Sequence, residues 1–346
     1  MPPVIFRVDA TSQIALGHLK RCLSIAEALS SVGIDSVFIS FSEESAAKIL
    51  GESGFKYFLI DSPVNRGNDT DETRRIINEV GSNAIVLDSY DINAAYIELL
   101  KESGQVVICA DDFADRYLPC DLLINGGLGA EKLPYDDKKI KYLLGIEFCV
   151  LSKSFWNSAF VIREKIQNVL ITMGGIDHFN LSVRSLQILE KVDADISATV
   201  IIGPYYEQVS EIEKQAESMS KKVCLVQNSN NLYDDMKRCD LAISAGGRTL
   251  YELASLGRPI IGLSLAENQA YNVQELDSQK AICGLTYHDA PSFDDELEGA
   301  IISFLDSPQK SLDLAKKAHE LFSGNGALTV ANEIASLLNR CQVQAS

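Results

Sequence analysis

The strongest constraint on the fold is an alternation of short apolar segments with segments of helical period, which runs through the chain twice. The apolar segments are hydrophobic throughout and rich in β-branched residues. Strands of this kind, separated by helices, form a parallel sheet that is covered on both faces. Strands are predicted in the first half at 5–8, 36–40, 84–87, 106–110 and 122–124, and in the second half at 169–173, 198–202, 223–226, 241–244 and 259–263.

Amphipathic segments between these strands predict the covering helices. They lie at 17–31, 43–51, 93–103, 180–189, 206–218, 249–256 and 268–279, and three more follow at 294–305, 310–322 and 326–340. The stretch 151–164, rich in serine and aromatic residues, interrupts the pattern. We therefore predict two Rossmann-like α/β domains, 1–156 and 157–346, that face a central cleft at the carboxyl ends of both sheets.

Composition narrows the class of protein. The chain has 346 residues, 46% of them hydrophobic, which is enough for two separate cores. No apolar run approaches a membrane span and the first residues lack the pattern of a signal peptide, so we expect a cytoplasmic protein without membrane insertion. A net charge of −17 disfavours nucleic acid as a partner. The eight scattered cysteines have no zinc or redox spacing, and we predict neither metal nor cofactor.

The loop after the first strand carries a candidate for catalysis. Gly17 and His18 stand where the next helix begins. The positive end of a helix favours a neutral, proton-accepting imidazole, so His18 is a candidate general base. The alternative is a polar residue at a helix start without a catalytic role.

Loops of the second half predict a site for a phosphate and a sugar. Gly174 and Gly175 follow the first strand of that half and let backbone amides approach a phosphate. Asp177, two residues later, has the alternative role of capping the next helix. The polar run 267–269 suits a sugar or a bound water, and a solvated helix start is its alternative.

The most specific motif is Ser-Ala-Gly-Gly-Arg-Thr-Leu-Tyr-Glu at 244–252. It joins a strand to a helix through a glycine-rich turn. Gly246, Gly247 and Thr249 are suited to donate hydrogen bonds to a diphosphate, and Glu252 to accept them from a ribose diol. The alternative for Glu252 is an exposed acid that the helix dipole favours.

Taken in order, the motifs resemble the UDP-sugar hydrolases of pseudaminic acid biosynthesis, which are related to GT-B glycosyltransferases. The motifs are Arg-Val-Asp, Gly-His-x-x-Arg-Cys, Asp-Ser-Tyr, Gly-Gly-x-Asp, Ser-Ala-Gly-Gly-x-Thr-x-Tyr-Glu and Glu-Asn-Gln, between residues 4 and 275. The resemblance implies a GT-B-like fold and release of UDP from UDP-2,4-diacetamido-2,4,6-trideoxy-β-L-altropyranose. Water would attack the anomeric carbon with inversion.

The resemblance also implies residue roles. His18 is then the base that activates water, and Tyr90 and Asn268 hold that water. Together with the loop patterns, it sets the candidates for substrate binding: Asp9, Gly17, Arg21, Gly174, Gly175, Asp177, Gly246, Gly247, Thr249, Glu252, Glu267 and Gln269. Because UDP is a good leaving group, one base suffices where common glycosidases need two carboxylates.

Some positions depart from the family pattern. These departures affect the expected identity of the sugar more than the expected nucleotide site. They are Ala15, Phe148, Ser152, His178 and Arg248. Two alternatives therefore stay open: a GT-B glycosyltransferase that uses an acceptor hydroxyl, and a nucleotide-sugar-binding protein without activity. An NAD-dependent oxidoreductase is disfavoured because neither half has a Gly-x-Gly-x-x-Gly turn after its first strand. The oligomeric state is not predicted.

Overall fold

A computed structural model describes residues 1–10, 16–161, 163, 165–227 and 232–345. The chain divides into two α/β units, each with a parallel sheet of its own. Unit 1 comprises Met1–Trp156 and Asn325–Ser346, and unit 2 comprises Asn157–Gly324. The prediction of two parallel-sheet α/β domains is confirmed.

The sheet of unit 1 has the spatial order β3-β2-β1-β4-β5-β6-β7. Its strands are β1 (Val4–Val8), β2 (Ser36–Phe41), β3 (Lys56–Ile60), β4 (Ala84–Asp88), β5 (Val106–Ala110), β6 (Leu122–Asn125) and β7 (Lys141–Leu144). In the parallel register Ile5 lies opposite Val37 on one side and Ile85 on the other. The chain order reverses between β1 and β4, which is the place where open α/β sheets bind ligands.

Helices cover both faces of this sheet. They are α1 (Leu16–Ser31), α2 (Glu44–Ser53), α3 (Asp69–Val80), α4 (Ala94–Glu102) and α12 (Gly326–Ala345). Alternate residues of β1 serve the two faces: Phe6 packs towards α1, α2 and α12, whereas Ile5 packs towards α3 and α4. Both faces are therefore covered, which explains why the central strands are hydrophobic at most positions, with the buried Arg7 of β1 as an exception.

The last helix lies in unit 1, whereas the sequence pattern grouped it with the second domain. A buried stripe along α12 includes Val330, Ile334 and Leu338, spaced by four residues. This stripe belongs to the same core as Leu19 and Ile25 of α1. Because α12 buries its apolar face against α1, the chain returns to unit 1 after residue 324.

The sheet of unit 2 has the order β10-β9-β8-β11-β12-β13. Its strands are β8 (Asn168–Thr172), β9 (Ser197–Ile202), β10 (Val223–Gln227), β11 (Leu241–Ala245), β12 (Ile260–Ser264) and β13 (Cys283–Thr286). Its helices are α5 (Leu181–Lys191), α6 (Val209–Ser218), α7 (Leu232–Arg238), α8 (Thr249–Ser255), α9 (Glu267–Ser278), α10 (Ser292–Asp306) and α11 (Pro308–Leu321). The order reverses between β8 and β11, as it does in unit 1 between β1 and β4.

Several elements were not predicted: β3, β7, β13, α3 and α7. The three strands lie at sheet edges, where Lys56 and Tyr57 of β3, for example, face solvent. No helix in the described part of the chain combines the length and hydrophobicity needed to cross a membrane.

Candidate active site

A histidine and a carboxylate meet at the carboxyl ends of β1 and β4. His18 lies in the first turn of α1, and Asp88 is the last residue of β4. Nδ1 of His18 lies 2.5 Å from Oδ1 of Asp88. Only 8% of His18 and 1% of Asp88 is exposed, so the pair is shielded from water.

The charge of Asp88 determines which nitrogen of His18 carries the proton. Burial alone would raise the pKa of Asp88, but the charge and hydrogen bonds of Arg21, together with His18, hold it well below its usual range. An ionised carboxylate can only accept, so Nδ1 is the donor in this pair, and Nε2 is the nitrogen at which the ring can accept a proton. Nη2 of Arg21 also lies 3.1 Å from Nδ1, and because both groups are then donors this contact is not a hydrogen bond. No hydrogen bond to Nε2 is present among the residues that the structure describes. The pair thus has the chemistry of a general base with an orienting carboxylate.

Arg21 joins two carboxylates of unit 1. Its Nε donates to Oδ2 of Asp88 at 2.8 Å, and its Nη1 donates to Oδ1 of Asp112 at 2.6 Å. Burial would raise the pKa of Asp112, but Arg21 lowers it below the usual value. Arg21 is a predicted substrate-binding residue, yet its guanidinium is engaged by these carboxylates and positions them.

Tyr90 follows β4 and lies against the histidine. Its ring meets the ring of His18 edge-on, with centroids 4.6 Å apart and planes at 86°. Its Oη donates to Oδ2 of Asp112 at 3.1 Å. Burial and the charge of Asp112 raise the pKa of Tyr90 to about 12, so the phenol is neutral near pH 7.

The other predicted residues of unit 1 differ in their surroundings. Asp9 accepts from the backbone amides of Phe41 at 2.9 Å and Val64 at 2.7 Å, and it pairs with the buried Arg7. Its carboxylate therefore joins the segments that follow β1 and β3 to the end of β2, and its role in substrate binding stays a prediction. Gly17 is exposed, and a Cβ there would meet nothing within 4 Å.

In unit 2, Asp177 caps a helix. Its Oδ1 accepts from the amide of Leu181 at 2.9 Å and its Oδ2 from the amide of Ser182 at 2.8 Å, at the start of α5. Both oxygens thus accept hydrogen bonds from backbone amides of the protein, as the capping alternative expects, and a role in substrate binding stays a prediction. Gly174 and Gly175 precede it and are exposed, and Gly174 has a φ of +79°, which favours glycine.

The two glycines after β11 serve different purposes. The amide of Gly246 donates to the carbonyl of Leu263 at 2.8 Å, and a Cβ on Gly246 would lie 2.7 Å from Cγ2 of Val273. Gly246 therefore lets α9 pack closely, and its amide is not available to a phosphate. At Gly247 a Cβ would meet nothing within 4 Å, so the space there is open.

The remaining candidates of unit 2 lie on α8 and α9. Thr249 begins α8, and Glu252 is half-buried one turn later. Oε1 of Gln269 accepts from the amide of Leu265 at 3.2 Å, in the segment before α9, while Glu267 is exposed. Asn268 lies in the first turn of α9, but its side chain falls outside the described part of the structure.

The departures from the family pattern are spread over both units. His178 and Arg248 of unit 2 are exposed, as is Ser152 of unit 1, whereas Phe148 is half-buried. Ala15 lies outside the described residues.

Asp88 and Asp112 were not predicted as site residues. Each lies at or just after the carboxyl end of a strand, on β4 and β5, which are neighbours in the sheet. A carboxylate at that point of adjacent parallel strands is the signal that would have identified them. In the described part of the chain, no three His, Cys, Asp or Glu side chains are grouped in a way that would hold a metal ion.

The sequence has relatives among known proteins. Residues 168–334 match the glycosyltransferase family 28 C-terminal domain. A protein of Helicobacter pylori named pseudaminic acid cytidylyltransferase and UDP-2,4-diacetamido-2,4,6-trideoxy-beta-L-altropyranose hydrolase is 27% identical over 80% of this chain and 47% of its own length. The hydrolase of that name from Campylobacter jejuni is 26% identical over 61% of this chain and 74% of its own length. The chain spans about half the length of two of the relatives that it matches.

The fold also has solved counterparts. MurG of Acinetobacter baumannii aligns with a TM-score of 0.71 at 16% identity, over 97% of this chain and 100% of that one. At this identity the likeness concerns the fold alone. The two parallel α/β units and this neighbour show a GT-B-like fold.

Proposed function

We propose that the chain hydrolyses a UDP-sugar at its anomeric carbon, with His18 as general base. The observation that carries the proposal is the contact of Nδ1 of His18 with the Asp88 carboxylate, which favours a proton on Nδ1 and an acceptor at Nε2. The names of the Helicobacter and Campylobacter relatives support the substrate class, a UDP-diacetamido-trideoxyhexose. The process would be pseudaminic acid synthesis or that of a related surface glycan.

The reaction needs one bond to form and one to break. The oxygen of water attacks the anomeric carbon, and the bond from that carbon to the β-phosphate oxygen breaks, so UDP leaves with the electron pair. Nε2 of His18 takes the proton from water, and the nearby Asp88 carboxylate stabilises the resulting imidazolium. Attack from the side opposite to UDP inverts the configuration.

Tyr90 is suited to hold the attacking water. Its hydroxyl hydrogen is directed to Asp112, so the lone pairs of Oη remain to accept from water. Water would then donate one hydrogen bond to His18 and the other to Tyr90. Asn268 is likewise proposed to hold the attacking water.

Unit 2 is proposed to bind the nucleotide. Gly174 and Gly175 are exposed after β8, and the space at Gly247 is open after β11. Backbone amides at such turns bind phosphate without the help of cationic side chains, which suits a chain of net charge −17. Thr249 is proposed to bind the diphosphate, and Glu252 is proposed to bind the ribose. Glu267 is proposed to contact the region where the sugar joins the diphosphate.

A second candidate is a glycosyltransferase. The match of residues 168–334 to the glycosyltransferase family 28 C-terminal domain favours it. His18 would then take the proton of an acceptor hydroxyl in place of water. The two functions differ in whether UDP is released without an acceptor.

The test is release of UDP from UDP-2,4-diacetamido-2,4,6-trideoxy-β-L-altropyranose in the absence of any acceptor. We expect turnover by the natural chain, loss of turnover in His18→Ala, and normal turnover in the matched control His288→Ala, whose exposed imidazole lies in unit 2. Near-normal turnover in His18→Ala would refute the assigned base. Release that begins only when a hydroxyl acceptor is added would favour the transferase.

A further inference from the structure

Two exposed aromatic rings stand beside the candidate base. Phe113, on the loop after β5, is 56% exposed, and Tyr90 is 42% exposed. Their ring centroids lie 5.4 Å apart with planes tilted by 40°, and Tyr90 in turn contacts the ring of His18. The rings therefore form a continuous aromatic surface that begins at the histidine.

The loop that carries Phe113 is held at both neighbouring positions. Asp112, before it, is bound by Arg21. Asp111 accepts from the amide of Ala114, after it, at 2.9 Å and from the hydroxyl of Tyr135 at 2.7 Å. Ala114 has a φ of +54°, a conformation that residues with a Cβ seldom adopt and that concentrates at functional sites. Phe113 is thus presented on a constrained turn.

Arg116 links this loop to the one that carries Tyr90. Its Nη2 donates to the carbonyl of Ser89 at 3.3 Å and lies 3.5 Å from Oδ1 of Asp111. Ser89 precedes Tyr90 directly. The two rings are therefore fixed relative to each other by a bridge between their loops.

We propose that Tyr90 and Phe113 form a platform for the apolar face of the sugar, and that Phe113 makes the site select a 6-deoxy sugar over its 6-hydroxy counterpart. This inference rests on the proposed function, because His18 must face the anomeric carbon and the platform adjoins His18. The occupant is the sugar and not the nucleobase for the same reason.

The selectivity follows from the chemistry of the ring. A methyl group on the phenyl face of Phe113 loses contact with water and gains contact with carbon. A hydroxyl in that place gives up water without finding a hydrogen-bond partner on the ring. On a partly open surface, we expect the change from methyl to hydroxymethyl to alter kcat/KM by about tenfold. This is the lower end of the discrimination that apolar pockets show between substrates.

The test compares UDP-2,4-diacetamido-2,4,6-trideoxy-β-L-altropyranose with the same sugar nucleotide carrying a 6-hydroxyl. The natural chain is expected to prefer the 6-deoxy substrate in kcat/KM for UDP release. Phe113→Ala lowers that preference by about tenfold, Phe113→Tyr retains it, and the Kd for UDP alone is unchanged. The control Tyr57→Ala, which removes an exposed ring from β3, leaves the preference as it is.

The outcomes separate this inference from the function on which it rests. If the natural chain hydrolyses the substrates but Phe113→Ala keeps the preference, the platform is refuted and the hydrolase stands. If the natural chain hydrolyses neither sugar, the proposed function fails, and the ratio of the Kd values of the two intact UDP-sugars is measured by calorimetry. A ratio that Phe113→Ala does not change overturns the platform in that case as well.

Discussion

Nδ1 of His18 lies 2.5 Å from Oδ1 of Asp88, although 70 residues separate them in the chain. The topology explains the contact, because β1 and β4 are neighbours in the sheet and α1 begins near the carboxyl end of β1. Arg21 stands three residues after His18, on the same side of α1, and reaches the same carboxylate. A helix start and a strand end thus build one charged cluster.

The first prediction concerns the carboxylate. Asp88→Asn keeps the shape of the side chain but removes the charge that stabilises the imidazolium. We expect kcat to fall by about 10²- to 10⁴-fold, the usual worth of general base catalysis, while the Kd for UDP stays the same. Steady-state kinetics and calorimetry measure the two quantities.

Asp240→Asn is the matched control for Asp88→Asn. Asp240 is also a buried carboxylate, and it accepts from the amides of Gln167 and Asn168 and pairs with Arg163 in unit 2. We expect this variant to lose stability but to retain kcat once folded. An equal loss of kcat in both variants would assign the effect of Asp88→Asn to unfolding and not to chemistry.

The second prediction concerns acid stability. Arg21 holds the pKa of Asp88 and of Asp112 below the usual value, against the opposing effect of burial. A lowered pKa in the folded state stabilises the protein above the unfolded pKa of about 3.9, and that contribution is lost as the pH falls through the folded value. We therefore expect the free energy of unfolding to decline below about pH 4. Denaturant titrations of Asp112→Asn should show a shallower decline, and an unchanged slope would contradict the assignment.

The third prediction separates two adjacent glycines. In Gly246→Ala the new methyl would lie 2.7 Å from Val273, so we expect a lower midpoint of unfolding. In Gly247→Ala the methyl enters open space, so the fold should be kept, but a diphosphate could no longer approach the backbone closely. We expect normal stability and a raised Kd for UDP in Gly247→Ala. Tight UDP binding by that variant would show that Gly247 does not contact the diphosphate.

The fourth prediction concerns Asp177. Because its carboxylate caps α5, Asp177→Ala should lower the free energy of unfolding by about 1 kcal/mol. Asp177→Asn and Asp177→Ser, which also cap helices, should restore most of it. The Kd for UDP should stay within about threefold of the natural value, since both oxygens are used by amides. A much larger rise in that Kd, with stability retained, would show that Asp177 contacts the substrate.

The sequence predicts the centre of each sheet better than its edges. β1, β4, β8 and β11 are covered on both faces, so most of their residues are hydrophobic and their positions follow from the pattern. β3 lies at a sheet edge with Tyr57 and Leu59 exposed, and of its residues KYFLI only Ile60 is β-branched, so it lacks the β-branched run that marks the central strands. The return of α12 to unit 1 depends on which helix face meets which core, and a helical period alone does not encode this.

In the candidate site, too, some residues could be predicted from the sequence and others could not. The motifs bring attention to His18 and Tyr90, which the fold places in contact, while their roles stay predictions. The roles of Asp177 and Gln269 could not be assigned from sequence, since the same residue types bind backbone amides and sugars. Asp112 depends on a partner 91 residues away, and only the tertiary fold reveals that pair.

The most direct test of the account is a single turnover in water enriched in oxygen-18, with mass spectrometry of both products of UDP-2,4-diacetamido-2,4,6-trideoxy-β-L-altropyranose. Attack of water on the anomeric carbon predicts heavy oxygen in the sugar hydroxyl and none in UDP. Heavy oxygen in the β-phosphate of UDP, or UDP release that needs an acceptor and leaves the sugar unlabelled, would contradict it.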